Sequence, residues 1–587
     1  MPTADWISDS PSLPAAFFRQ VESNALHPAQ WERRDGEYIP ITYQMLAQRI
    51  KHVAAGLMRV GVEPGDRIAI LMENRPEWAV IDYAILAIGA VTVPLYCSYR
   101  PQDMAYVLND SEASMVFTSG GHLLRDLKKA VAQCKSVKQI YSVDDPGDGS
   151  LVSSLEALEQ GATDDERLMR RVAKIDRNQL ATLVYTSGTT ANPKGVMLSH
   201  GNILTNLEAV PAVINLLPDE KMLSFLPLAH ALERTGSHFL PYSYGISVAF
   251  AERPDTVAKN LTEAQPTLMI SVPRMLEVVR SRILAQVAKQ PAFKRWMFDA
   301  YFSYAEKSCP GPVDAIFLKL LDRLVGRKIR DRFGGRLRAL VSGGAPLGVE
   351  VGRFFEALGL PVLEGYGLSE SAPLLAVNPM NDRRIGTVGK AAKGVEIKIA
   401  EDGEILARGG NIMSGYWKNR KATKEALADG WLYTGDIGVL DEDGYLRITD
   451  RKKDIIVNSG GENIAPQRVE APLVNESLIE QVVVYGDQRP YLVAMVVPDK
   501  EACLAWSEAS GLPKAGWPEL AASDVLRKEM QKRIQSHLTS FNSFEQVRRI
   551  VIHTEPFSVE NGYMTPTMKL KRKNIYHDFL ETFEALY

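Results

Sequence analysis

Short apolar runs alternate with helical segments through the first part of the chain. Runs at residues 66–72, 91–95, 114–118 and 180–184 have the length and the β-branched content of buried strands. Residues 76–88 have the pattern of a helix with a proline in its first turn. Because strand–helix–strand at this spacing requires parallel pairing, we predict a large layered α/β domain.

The pattern changes further along the chain. Four more strands of the same kind are predicted at 222–226, 247–250, 267–270 and 338–341, and the residues between the last two are mostly helical. Short strands separated by turn signals follow residue 386 and predict a small β subdomain.

The last part of the chain has the pattern of a compact α+β domain. Its predicted elements are a helix at 466–474, strands at 481–485 and 491–497, a helix at 524–540, a strand at 547–552 and a last helix after residue 573. We therefore predict an α/β protein with an N-terminal domain of residues 1–450 and a small C-terminal domain of residues 451–587.

Length and composition narrow the function classes. A chain of 587 residues is too long for one compact core, which agrees with two domains. The net charge of -3 provides no global electrostatic field that would attract nucleic acid.

The four cysteines lack C-x-x-C spacing, which argues against a zinc site and a disulfide framework and favours a reducing compartment. The N-terminus lacks the pattern of a secretory signal, and no apolar run approaches the roughly 18 residues of a spanning helix. We expect a cytoplasmic protein.

The stretch Tyr185–Val196, YTSGTTANPKGV, carries the most specific chemistry. Its hydroxyls, glycines and lysine suit a loop that folds around polyphosphate, because small residues let backbone N–H groups approach and lysine supplies charge. It fits neither the Walker loop nor the dinucleotide G-x-G-x-x-G pattern. Taken alone, a loop of this composition is more often a surface turn.

This stretch resembles the phosphate loop of the acyl-adenylate-forming superfamily, which includes acyl-CoA synthetases, luciferases and peptide-synthetase adenylation domains. The resemblance implies that the loop residues bind the nucleotide phosphates. These residues are Thr186, Ser187, Gly188, Thr189, Thr190 and Lys194. Ala191 stands where the family has glycine, and a positive φ there would strain the loop by about 1 kcal/mol.

Two further segments resemble the family in the same order along the chain. Residues 226–234, LPLAHALER, are similar to a segment of the long-chain acyl-CoA synthetases, which implies that His230 lies beside the acyl pocket. Residues 341–347, VSGGAPL, contain Gly343, Gly344 and Ala345, which in the family border adenine and substrate. Small residues there leave room for a flat base against the backbone.

The segment EGYGLSE resembles the family motif G-Y-G-x-T-E. It contributes Glu364, Gly365, Tyr366, Gly367, Ser369 and Glu370. Tyr366 offers a ring to stack on adenine, and Ser369 keeps the hydroxyl of the usual threonine. Glu370 offers a hard carboxylate for Mg²⁺.

The motifs after residue 430 complete the resemblance. Asp436 of YTGD would accept hydrogen bonds from the ribose hydroxyls, and Arg451 would add a donor to ribose or phosphate. Lys453 occupies the family's hinge position, about which a mobile C-terminal domain rotates between two half-reactions. Lys569, in P-T-M-K, matches the catalytic lysine.

The loop after the hinge lines the path of the coenzyme A thiol in the family. Its residues here are Gly460, Gly461 and Glu462.

The resemblance covers nearly the whole chain and implies a long-chain fatty acid–CoA ligase. Such an enzyme uses ATP, Mg²⁺ and coenzyme A and forms an acyl-AMP intermediate, with no nucleic-acid partner. Three alternatives stay open: a fatty acyl-AMP ligase that serves a carrier protein, a catalytically silent nucleotide or acyl-CoA sensor, and a membrane-anchored scaffold. Peripheral membrane contact also stays open, as does the choice between a monomer and a homodimer.

Overall fold

The computed structural model describes residues 5–147, 150–186, 193–306, 311–513, 515–565 and 569–587. Its contacts divide the chain into two compact units. The large unit comprises Met1–Lys398, Leu406–Thr434 and Leu440–Arg447, and the small unit comprises Ile399–Ile405, Gly435–Val439 and Ile448–Tyr587. The predicted α/β class, with a large N-terminal part and a smaller C-terminal part, is confirmed.

The first sheet of the large unit has eight strands, and its central pairs are parallel as predicted. In spatial order the strands are Gly415–Tyr416, Lys194–Ser199, Leu180–Thr186, Val91–Leu95, Arg67–Leu71, Met115–Thr118, Gln139–Ser142 and Val152–Ser154. One feature differs from the prediction. The segment after the glycine-rich loop, for which no strand was predicted, is the antiparallel strand Lys194–Ser199, so an antiparallel pair of strands flanks the loop.

The second sheet has nine strands, with the predicted parallel strands at its centre. In spatial order they are Lys390–Ala391, Leu374–Val377, Val362–Gly367, Ala339–Ser342, Leu268–Ser271, Lys221–Ser224, Ser247–Phe250, Pro28–Arg34 and Glu37–Thr42. The helix Pro76–Ala87 is buried along its whole length and shares one hydrophobic core with side chains of both sheets. It is mostly apolar on all sides, as a helix between two layers must be, and Asp82 is one of its few buried charges.

The remaining helices of the large unit cover the sheets. They are Asp5–Ser8, Leu13–Asn24, Tyr43–Arg59, Pro101–Ser111, Gly121–Val131, Leu155–Glu159, Asp165–Val172, His200–Val213, Ala231–Glu233, Leu240–Tyr244, Val257–Ala264, Pro273–Ala288, Ala292–Ala305, Pro312–Leu321, Arg327–Arg330, Val349–Ala357 and Arg420–Ala426. Single 3₁₀ or π turns lie at Arg234–Phe239, Pro254–Thr256, Asp322–Gly326, Asp331–Phe333 and Ser369–Ser371. The predicted helical stretch between the last two central strands is thus confirmed.

The predicted β subdomain corresponds to a five-stranded sheet between residues 395 and 451. Its strands are Val395–Ile399, Glu404–Gly409, Leu427–Ala428, Trp431–Leu440 and Leu446–Arg451.

The C-terminal part contains a three-stranded sheet with one antiparallel and one parallel pair. Its strands are Ile479–Tyr485, Leu492–Pro498 and Val547–Ile552, and a short hairpin pairs Ile456–Val457 with Asn463–Ile464. The helices are Pro466–Val474, Lys500–Ala509, Trp517–Ala521, Asp524–His537, Arg572–Asp578 and Leu580–Glu584, with a 3₁₀ turn at Ser543–Glu545.

Candidate active site

The ends of the glycine-rich loop are fixed by the antiparallel pair of strands that flanks it. Thr186 and Lys194 are directly opposed in the antiparallel register, and Tyr106 Oη donates to the Pro193 carbonyl at 3.2 Å. Both loop ends are therefore held by main-chain pairing. Ser187, Gly188, Thr189, Thr190 and Ala191 lie outside the described residues, so the phosphate contacts predicted for the first four and the strain predicted at Ala191 stay predictions.

Tyr416 connects the loop lysine with the acidic motif. The Lys194 ammonium lies 5.1 Å from the centre of the Tyr416 ring, and Tyr416 Oη donates to Glu370 Oε1 at 2.8 Å. Burial and the neighbouring carboxylate raise the pKa of Tyr416, so its hydroxyl keeps its proton and remains a donor. The structure thus brings together Lys194 and Glu370, which are 176 residues apart in the sequence. Nothing in the local sequence S-G-Y-W identifies Tyr416, which is not among the predicted site residues.

The VSGGAPL and EGYGLSE segments are joined by the Glu364 carboxylate. Glu364 Oε1 accepts from the Leu347 backbone N–H at 3.1 Å, and burial raises the pKa of Glu364 to about 7. Gly343 is buried, and a Cβ there would lie 3.4 Å from the Gly365 carbonyl oxygen. Gly344 has a φ of +86°, which favours glycine. The turn after the strand Ala339–Ser342 is therefore adjacent to the acidic motif.

The acidic motif itself depends on a close main-chain approach. A Cβ at Gly367 would come within 1.8 Å of the Pro373 carbonyl oxygen, so only glycine fits this position. Tyr366 is 7% exposed, and Ser369 begins the 3₁₀ turn that contains Glu370. Stacking of Tyr366 on adenine stays a prediction.

The LPLAHALER segment divides into a partly exposed and a buried half. His230 is half-buried, and its Nδ1 accepts from the Leu232 backbone N–H at 3.3 Å. Glu233 is fully buried, accepts from Ser224 Oγ at 2.7 Å and from the Phe225 N–H at 3.2 Å, and has its pKa raised to about 8 by burial. These bonds fix the turn that precedes His230.

Arg234 lies at the centre of a buried network of charged and polar side chains, and this network was not predicted from the sequence. It pairs with Asp82 at 2.5 Å and donates to Thr182 Oγ1 at 2.7 Å, and His238 Nε2 lies 2.8 Å from Asp82. The carboxylate and guanidinium are almost fully excluded from water. Since Thr182 belongs to the strand that enters the glycine-rich loop, Arg234 anchors that strand to the central helix Pro76–Ala87.

The predicted residues of the small unit are mostly exposed. Arg451 Nε lies 3.1 Å from the buried Asp436 carboxylate, so these two predicted nucleotide-binding residues are adjacent. The Lys453 side chain is exposed. Its neighbour Lys452 pairs with Asp402 at 2.6 Å and with Glu404 at 2.8 Å, which holds the segment before the hinge position.

The loop predicted to line the thiol path is a tight exposed turn. Asn458 Oδ1 accepts from the backbone N–H groups of Gly460 and Glu462, each at 2.9 Å, and Gly461 has a φ of +81°. Lys569 is exposed, and its backbone N–H donates to Thr565 Oγ1 at 3.1 Å.

Two features of the described ranges concern metal binding and membrane insertion. No three His, Cys, Asp or Glu side chains in them come together as a metal site. None of the helices within the same ranges is long and apolar enough to cross a membrane.

The chain belongs to the AMP-binding enzyme family, which it matches over residues 17–417; the C-terminal domain of AMP-binding enzymes matches residues 453–587. The long-chain-fatty-acid–CoA ligase FadD15 of Mycobacterium bovis is 39% identical over 94% of this chain and 93% of its own length. Human long-chain-fatty-acid–CoA ligase 1 is 32% identical over 100% of this chain and 88% of its own. The fold is similar to the adenylation domain of a carboxylate reductase from Mycobacterium chelonae, with a TM-score of 0.77, 23% identity and coverage of 98% and 91% of the two chains.

Proposed function

We propose that this protein ligates long-chain fatty acids to coenzyme A at the expense of ATP, through an acyl-AMP intermediate. The observation that carries the proposal is the contact series from Lys194 through Tyr416 to Glu370, which joins the loop lysine to the acidic motif. Membership of the AMP-binding family and similarity to long-chain fatty acid–CoA ligases along almost the whole chain support it.

In the first half-reaction the fatty carboxylate attacks the α-phosphorus of ATP. The new C–O–P linkage forms as the bond to the β-phosphate oxygen breaks, and pyrophosphate leaves. The difficulty is to bring one anion to another, so the protein must supply charge and orientation. Lys194 and the loop from Thr186 would hold the phosphates, and Lys569 would stabilise the negative charge that develops.

The residues around Glu370 fit a magnesium ion that is shared with the nucleotide. Glu370 Oε1 accepts a hydrogen bond from Tyr416 Oη. Within the described residues, no cluster of three ligating side chains exists. Mg²⁺ commonly binds through one or two carboxylates plus substrate phosphates, so a single carboxylate suffices beside ATP. When bound, the ion would neutralise phosphate charge.

Two groups of candidate residues would contact the adenosine of ATP, one at the ribose and one at the adenine. We assign Asp436 and Arg451 to the ribose and its phosphate, and Tyr366, Gly343, Gly344 and Ala345 to the walls around adenine. His230 would border the acyl group. The buried carboxyl of Glu364 would keep the turn after Ser342 in place through its bond to Leu347.

In the second half-reaction the thiolate of coenzyme A attacks the acyl-AMP carbonyl. The C–S bond forms, the C–O bond to the phosphate breaks and AMP leaves. We propose that residues 451–587 are the mobile domain and that Lys453 is its hinge. After adenylation Lys569 would withdraw, and the turn at Gly460, Gly461 and Glu462 would line the thiol path.

The free thiols Cys97, Cys134 and Cys503 support a reducing, cytoplasmic location.

The test is ATP–pyrophosphate exchange across a series of fatty acids, each with and without coenzyme A. Each buried methylene contributes about 0.8 kcal/mol, so kcat/KM should rise with chain length until the acyl site is full. Thioester should form with free coenzyme A. A maximum at acetate or at an aromatic acid would contradict the long-chain assignment, and exchange without thioester would favour a ligase that serves a carrier protein.

A further inference from the structure

Two neighbouring helices of the large unit expose large apolar side chains. Phe293 and Trp296 of the helix Ala292–Ala305 are 68% and 55% exposed, and Val313 and Ile316 of the helix Pro312–Leu321 are 78% and 73% exposed. Leu320 and Leu324 continue this surface, at 54% and 41%. We call these six side chains the exposed helical face.

The exposed helical face is additional to the face with which these helices pack. Phe298 and Tyr301 are buried, and the Tyr304 and Phe317 rings join the two helices at 5.2 Å. Tyr301 Oη donates to the Ala357 carbonyl at 2.8 Å and so fixes the pair to the core. The core therefore already has its apolar contacts, and the outward residues are left in water.

The outward residues follow a regular helical spacing. Val313, Ile316 and Leu320 recur at intervals of three and four, which places them along one side of the helix Pro312–Leu321, and Leu324 follows in the turn Asp322–Gly326. Phe293 and Trp296 are three residues apart and their rings stack at 6.0 Å. Large apolar side chains exposed together on two packed helices of a folded protein mark an interaction site.

The charge of the segment that carries the face favours one kind of partner. The connection between the strands Leu268–Ser271 and Ala339–Ser342, residues 272–338, contains 15 Lys or Arg and 6 Asp or Glu, whereas the whole chain has a net charge of -3. Lys319 and Arg323 each lie three residues beyond an apolar member of the face. Across the described part of the chain neither pairs with a carboxylate.

We propose that the exposed helical face docks on the surface of an anionic lipid bilayer. Its apolar side chains would enter the boundary between headgroups and acyl chains, and its cations would meet the anionic headgroups. The helices have 14 and 10 residues, so they would lie in the interface. A second copy of the chain fits less well, because a two-fold contact would press this basic surface against itself.

Docking would deliver the enzyme to the place where long-chain fatty acids reside. Only this benefit rests on the proposed function; the docking itself rests on the exposed residues and their charge.

The test is co-sedimentation of the full chain with vesicles, without ATP or coenzyme A. Vesicles of phosphatidylcholine alone are compared with vesicles that also contain phosphatidylglycerol, at low and at high salt. Binding should require the anionic lipid. It should weaken at high salt, because salt screens the attraction between the cations of the protein and the anionic headgroups. Absence of binding to the anionic vesicles would overturn the inference.

A matched pair of variants locates the surface. I316E/L320E adds two charges within the face, and L26E/V525E adds two charges at exposed apolar positions elsewhere, 80% and 50% exposed. The first should weaken binding to anionic vesicles by roughly tenfold or more, and the second should leave it unchanged. Equal binding by both variants would overturn the assignment of the face.

Two further measurements separate the remaining outcomes. Ligation of octanoate, which needs no bilayer, should be the same in both variants. A chain that binds vesicles without ligating any acid would contradict only the proposed function, and a chain that ligates octanoate without binding vesicles would contradict only the docking. A dimer in gel filtration that I316E/L320E separates, with no vesicle binding, would assign the face to a second copy instead.

Discussion

The candidate site residues of the two units differ in how they are held. In the large unit, Lys194 and Glu370 both contact Tyr416, and Glu364 bonds to a neighbouring turn. In the small unit, the Lys453 and Lys569 side chains are exposed. We propose from this difference that the large unit would carry a preorganised part of the site through the whole reaction, whereas the small unit would supply groups for one step at a time.

Each of the two units nevertheless contains a buried arginine–carboxylate pair of its own. In the large unit Arg234 and Asp82 anchor the strand that enters the glycine-rich loop. In the small unit Arg572, three residues after Lys569, donates to Glu470 Oε1 at 2.6 Å. Removal of one partner from such a pair leaves a buried charge without compensation. The segment after Lys569 is thus firmly anchored, while the lysine side chain itself is exposed.

The largest effect is expected from Lys569→Ala. Loss of one charge-stabilising group should lower acyl-AMP formation by about 10² to 10³-fold and spare thioester formation from supplied acyl-AMP. Pyrophosphate exchange and a thioester assay measure the two steps separately.

Lys571→Ala is the control, because it removes a nearby lysine outside the motif position and should leave both steps nearly unchanged. An equal loss of both half-reactions in Lys569→Ala would mean that the small unit does not act in one step only.

Lys453→Pro should give the opposite result. Proline fixes φ near -65° and restricts the preceding residue, so rotation about this position would be blocked. Adenylation should survive, and thioester formation should fall by well over an order of magnitude.

Lys453→Ala keeps the backbone free and should retain both activities. If Lys453→Pro instead lost both steps together with a lower melting temperature, its defect would be one of folding, and the hinge assignment would lose its support.

Tyr416→Phe tests the preorganised part of the site. It keeps the ring beneath Lys194 and removes the hydroxyl that donates to Glu370, a bond to a charged group that is worth about 1.5 kcal/mol. We expect about a tenfold loss in adenylation, with a higher Mg²⁺ concentration needed for half of the maximal rate.

Tyr445→Phe, which removes a phenol that donates to the Asp382 carbonyl elsewhere in the large unit, is the matched control and should have little effect on the Mg²⁺ requirement. A Tyr416→Phe enzyme with the wild-type Mg²⁺ dependence would show that this contact does not prepare Glu370 for the ion.

Local patterns predicted the elements, and long-range contacts escaped prediction. The helix Pro466–Val474 and the strand Val547–Ile552 have the predicted bounds, because each carries its own periodicity and turn signals. Tyr416 and Asp82 gain their roles from partners 46 and 152 residues away. The strand after the glycine-rich loop was missed because its first residues, Lys194 and Gly195, have no strand pattern of their own.

The smallest effect is expected at Asp450, directly before the hinge segment. Asp450 is 4% exposed; its Oδ1 accepts from the Arg451 backbone N–H at 2.5 Å, and its Oδ2 has no partner among the described residues. Burial raises its pKa to about 7; Asp454 and Glu470 add to the shift, and the backbone bond and Arg572 oppose it. The folded state therefore binds the proton more tightly than the unfolded state, whose pKa is about 3.9.

The sign of the pH dependence follows from this difference. The contribution of Asp450 to the stability of the fold is greatest below pH 4, falls as the pH rises towards 7 and is constant above 7, where the folded chain holds a buried charge.

Asp450→Asn keeps the acceptor and cannot ionise, so it should raise the melting temperature at pH 8 by a few degrees and change it little at pH 4. Glu442→Gln, which removes a charge at an exposed position, is the control and should behave alike at both pH values. A destabilised Asp450→Asn protein at pH 8 would mean that the charged carboxylate is needed by Arg572, so that the small unit's buried network extends to the hinge.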